Sequence, residues 1–74
     1  MTNVLTIIGQ SNYNNKPFSV TLNDSSLSKL LSRAENILRL TNVSTWELDT
    51  EFGISNGKGY NADLDLIEVL ETLK

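Results

Sequence analysis

The order of its periodicities constrains this chain more than any single residue does. Val4 to Ile8 is a β-branched, apolar run bounded by Gly9, and it reads as a strand with faces Val4/Thr6/Ile8 and Leu5/Ile7. Gln10-Ser11-Asn12-Tyr13-Asn14-Asn15-Lys16 supplies turn formers, several of which tolerate left-handed backbone angles. Pro17 opens a second strand, where its missing N–H does no harm. Phe18, Val20 and Leu22 then alternate with Ser19 and Thr21, which predicts one buried face. Asn23, Asp24, Ser25 and Ser26 all suit a helix N-cap. From there Leu27, Leu30, Leu31, Ala34, Ile37 and Leu38 recur at steps of three and four. They form the apolar stripe of an amphipathic helix about 14 residues long, with Asn42 as its stop. Lys29, Ser32, Arg33, Glu35, Asn36 and Arg39 take the other side, with Glu35 and Arg39 spaced for an i,i+4 pair. The stripe has to rest on Phe18, Val20 and Leu22, because a chain of 74 residues has nothing else to cover it.

A period of two returns after the helix. Trp46, Leu48 and Phe52 are expected on one face of a strand that Gly53 ends, with Glu47, Asp49 and Glu51 on the other. Asn56-Gly57 is a tight-turn signal, since both residues accept positive φ. Asn61-Ala62-Asp63 reads as a turn or a single helical turn. Leu66, Ile67, Leu70 and Leu73 fit a helix, which the Glu and Leu content favours, whereas Ile67, Val69 and Leu73 fit a strand. Closure of the sheet favours the strand, so Ile67 to Leu73 is expected to pair beside the first strand. One sheet under one helix is about the largest core such a chain closes, because small domains bury only about 60% of their unfolded surface. A single domain, 1–74, is the expectation.

Composition removes several function classes. The net charge of −3 argues against nucleic acid, whose phosphates call for a basic surface. Residues 1–40 carry Lys16, Lys29, Arg33 and Arg39 against Asp24 and Glu35. Residues 41–74 carry Lys58 and Lys74 against seven carboxylates, Glu47, Asp49, Glu51, Asp63, Asp65, Glu68 and Glu71. A basic partner could use that asymmetry, and ordinary solubility accounts for it as well. There is neither Cys nor His. The commonest nucleophile, the commonest general base and the usual transition-metal ligands are therefore missing, and no enzyme, cofactor or metal is expected. Asp63 and Asp65 lack the full calcium-loop pattern, and Gly53, Gly57 and Gly59 lack the Lys-Ser/Thr ending of a phosphate loop. Turn geometry explains both groups. The absence of Cys is compatible with a reducing compartment. No signal-peptide pattern and no membrane-length apolar run appear, so a cytoplasmic protein without membrane insertion is expected.

Two strands, a helix across them and then more strands is the β-grasp order that ubiquitin uses. The stretch Asn56-Gly57-Lys58-Gly59-Tyr60-Asn61-Ala62-Asp63-Leu64-Asp65-Leu66 resembles the segment of ubiquitin-like folds just before their last strand. Ser11-Asn12-Tyr13-Asn14, the strand Phe18 to Leu22 and the Leu-led helix are similar to the YukD/EsaB family, small ubiquitin-like accessory proteins of Gram-positive type VII secretion systems. The resemblance implies an α+β fold of the ubiquitin-like β-grasp type, with one amphipathic helix across a mixed sheet of four to five strands. It also implies a non-catalytic accessory or regulatory role, binding a cytosolic part of the membrane secretion machinery. Glu71-Thr72-Leu73-Lys74 holds no Gly-Gly pair to carry a thioester or isopeptide bond. A modifier or sulfur carrier lacking its diglycine tail is the second reading, and a phage- or defence-encoded inhibitor presenting an acidic surface is the third. A weak homodimer fits each of them.

For protein binding, the sheet face away from the helix is the expected surface. If Val4 and Ile8 face the core, Leu5 and Ile7 lie outside near Glu47 and Asp49, an apolar patch with a charged rim. The opposite register would put Leu5 and Ile7 in the core. Trp46, in phase with Leu48 and Phe52, reads as core rather than as an interface anchor. Tyr13 sits in a polar turn, where exposed contact and local packing are equally compatible.

Overall fold

The computed structural model describes residues 2–73; Met1 and Lys74 lie outside the described residues. The chain forms β1 (Asn3–Ser11), β2 (Pro17–Asp24), α1 (Leu27–Leu38), β3 (Thr41–Thr50), β4 (Gly53–Lys58) and α2 (Ala62–Leu73). The strands make one sheet in the order β2-β1-β3-β4, antiparallel at every pairing. Both helices pack on the same face of that sheet and against each other, α1 over β1, β2 and β3 and α2 over β3 and β4. The result is a two-layer α+β fold with one sheet face left open.

Cross-strand register explains which residues are inside. Leu5 lies between Leu22 and Leu48, and Ile7 between Val20 and Trp46. These residues share the helix-facing side, where they meet Leu30, Leu31 and Ala34 of α1 and Ala62, Leu66 and Leu70 of α2. Ser26 is the N-cap of α1, its hydroxyl accepting the Lys29 N–H at 3.3 Å. It satisfies one of the amides that the first turn leaves orphaned. A bulge interrupts the β1–β3 ladder. Ile8 faces Thr45 while Gly9 faces Val43, so Ser44 is the extra residue. There the backbones approach so closely that a Cβ on Gly9 would lie 2.1 Å from the Asn42 carbonyl oxygen. Only glycine fits.

Several expectations are corrected. The sheet is not mixed, and it carries two helices rather than one. Ile67 to Leu73 belongs to α2, not to a strand beside β1. Two physical reasons agree. β1 already pairs with β2 on one side and β3 on the other, so no position beside it is free. A strand here would also put Glu68 on the face of Leu66 and Leu70, whereas helical spacing buries Ala62, Leu66 and Leu70 and turns Glu68 outward. Asn56-Gly57 is not a turn but lies inside β4, opposite Glu47 and Trp46. The tight connection is Glu51-Phe52, closed by the Thr50–Gly53 pair, with Gly53 supplying the positive φ of 120°. That shift leaves Phe52 67% exposed in the turn instead of in line with Trp46. Arg39 donates to Asn36 Oδ1 at 2.6 Å rather than pairing with Glu35. The chain leaves α1 at Arg39 and Leu40, ahead of Asn42, and Thr41 already starts β3.

Candidate functional site

The pleat of β1 decides the character of the open face. Leu5 and Ile7 are fully buried, so they are core residues and cannot form the exposed apolar patch expected of them. The opposite row takes their place: Val4 and Thr6 are half-buried by neighbours on their own face, and Ile8 is 48% exposed. The sequence carries only a slight mark of this, too weak to choose the phase. The Val4/Thr6/Ile8 face contains a polar residue and the Leu5/Ile7 face does not, and the less polar face takes the core.

Register assembles the face into three cross-strand rows. Asn23, Val4, Asp49 and Ile54 form the first, Thr21, Thr6, Glu47 and Asn56 the second, and Ser19, Ile8, Thr45 and Lys58 the third. Glu47 and Asp49 therefore stand on the outer face, as expected, beside Ile54, which is 64% exposed and which sequence reasoning missed. Its place was hidden because the Asn56-Gly57 turn signal left no strand for it. Glu47, Asp49 and Lys58 stay unpaired; among the described residues the ion pair is Arg33–Asp24, at 3.9 Å. The face thus combines β-branched apolar and threonine side chains with carboxylates that the fold does not neutralise, a composition suited to protein contact.

Trp46 is core, 4% exposed, with its indole Nε1–H donating to the Ala62 carbonyl at 2.8 Å. The indole lies across Gly57, where a Cβ would come within 2.5 Å of Nε1. Gly57 is needed for that close approach rather than for a turn. Tyr13 projects from the β1–β2 loop and is 96% exposed, so it does not pack against its turn. It lies at the end of the sheet, where the Asn12 N–H donates to the Leu40 carbonyl at 2.9 Å, and not within the three rows. The site residues therefore do not converge: Glu47 and Asp49 share the open face, Leu5 and Ile7 lie beneath it, and Tyr13 lies beyond its end.

Among the described residues no group of three or more carboxylates is placed to hold a metal ion, and no helix is long and apolar enough to cross a membrane. Compared with models of protein families, with curated proteins and with solved structures, the chain matches none.

Proposed function

We propose that this protein is a non-catalytic protein-binding module that meets its partner through the open face of the sheet. The observation that supports this reading is the second, uncovered side of a four-stranded sheet, with exposed Ile8 and Ile54 on either side of Glu47 and Asp49. Apolar groups of this kind set affinity once buried, while the carboxylates govern association rate and its salt dependence. The narrower role, an accessory component of type VII secretion binding a cytosolic part of the membrane machinery, belongs to the same proposal. What supports it is the Ser11–Asn14 turn with the strand and Leu-led helix that follow; the C-terminal helix lends it none.

The test is capture from the native host with wild type and with an Ile8→Ser/Ile54→Ser double variant. Both side chains are exposed, so the variant should keep its thermal midpoint while losing any protein that wild type retains through this face. A folded variant that captures the same protein equally well would remove the open face as the site.

A further inference from the structure

The two edges of the sheet are built differently, and one of them is hollow. β4 ends the strand order, so the backbone groups on its outer side have no strand beside them. Its helix-facing row is Gly53, Ser55 and Gly57, opposite Thr50, Leu48 and Trp46. A strand with almost no side chain on its inner face cannot fill the space down to α2. What remains is a groove with Trp46, Val69 and Leu73 as its apolar part and Ser55, Asp65 and Glu68 along its sides.

Asp65 and Glu68, the carboxylates along that groove, have no ion-pair partner among the described residues. Asp65, Glu68 and Glu71 follow one another at intervals of three on α2, forming one ridge. All three are exposed, and the ion pair found among the described residues lies elsewhere, on α1 and β2. The helix dipole accounts for Asp63 and Asp65, which occupy the first turn of α2. Its influence fades within that turn, so it gives no reason for Glu68 and Glu71.

We propose that an extended basic segment of another protein docks along the free edge of β4 as an additional strand. Placed about 4.8 Å outside β4, such a strand lies over the mouth of the groove. Every second side chain then points inward. Lysines at those positions would lay their aliphatic stems on Val69 and Leu73 and bring their ammonium groups to Asp65 and Glu68. Main-chain pairing would supply affinity and the inward row specificity, the division of labour found when peptides are added to sheet edges. This surface is separate from the open face and does not depend on it.

The probe is an acetylated, amidated heptapeptide, Lys-Val-Lys-Thr-Lys-Val-Lys, titrated into the isotope-labelled full chain at low salt. Saturable shifts are expected at Ile54 to Lys58 and at the Asp65, Glu68 and Thr72 positions of α2. Glu68→Lys should weaken binding about tenfold, as charge reversal at a contact does, and Glu68→Gln provides the milder variant should the reversal disturb folding. N-methylating the peptide on alternate amides, in its two phases, separates pairing from attraction: one phase should abolish binding and the other retain it. Equal binding by both phases, shifts confined to β2 or the open face, or no saturable shift at millimolar peptide would each overturn the proposal.

Discussion

The β2/α1 side and the β4/α2 side of this molecule solve the same problem in opposite ways. On β2 the helix-facing row is Phe18, Val20 and Leu22, apolar side chains that pack with the core cluster to which Leu30, Leu31 and Ala34 of α1 belong. On β4 the corresponding row is Gly53, Ser55 and Gly57, and closure falls to a single large side chain, Trp46, reaching across from β3. One side is filled by many small contributions and the other by one indole held by one hydrogen bond to Ala62. The lesson is that the two sides should fail under opposite kinds of substitution. Removing atoms should damage the first, and adding them beneath the indole should damage the second.

The largest effect is expected on the filled side. Leu31 is buried in the middle of the α1 stripe, and Leu31→Ala should cost about 2–5 kcal/mol. A small domain has a total stability of about 5 kcal/mol, so the variant should be largely unfolded at 37 °C. A thermal midpoint within about 3 °C of wild type would show that α1 does not close over β1 and β2. Next comes the indole. Gly57→Ala places a Cβ 2.5–2.8 Å from three indole atoms, and overpacking of this kind costs about 1–3 kcal/mol. The Trp46 fluorescence should shift to the red as the ring is displaced. An unchanged spectrum with unchanged stability would mean that the ring does not lie across Gly57.

A smaller change tests the filled side at its entry. Ser26→Ala removes the cap of α1 and should cost about 1 kcal/mol, measured by urea denaturation with an unchanged slope. The smallest effect belongs to the hollow. Ser55→Val adds apolar volume facing the groove and should leave stability within about 0.5 kcal/mol of wild type. A loss above about 1.5 kcal/mol, of the size seen when a packed core is overfilled, would show that the space under β4 is already occupied and would erase the contrast between the two sides.

The open face was legible in part. Glu47 and Asp49 followed from strict alternation, since their strand neighbours Trp46 and Leu48 could only be core. Ile8 and Ile54 did not follow. A strand with two apolar faces carries no internal mark strong enough to choose between them, and a one-residue change of phase exchanges the whole set. Only pairing with Leu22 and Leu48 fixed Leu5 as core and so left Ile8 outside.

What the sequence determined by itself was local and periodic. It placed β1 as a strand without its buried row, and β2 and α1 with theirs, because a clean period of two or of three to four reports which side of an element meets the core. The C-terminal half was decided by tertiary structure. Asn56-Gly57 is a turn signal by propensity, yet it lies inside β4, where Gly57 pairs with Trp46 and leaves room for its ring. Ile67 to Leu73 carried both strand and helix patterns, and the occupied sides of β1 selected the helix. The physical reason is one of scale. Local preferences are worth tenths of a kcal/mol per residue, while burying Leu66 and Leu70 under a sheet with no vacant place beside β1 is worth several times more.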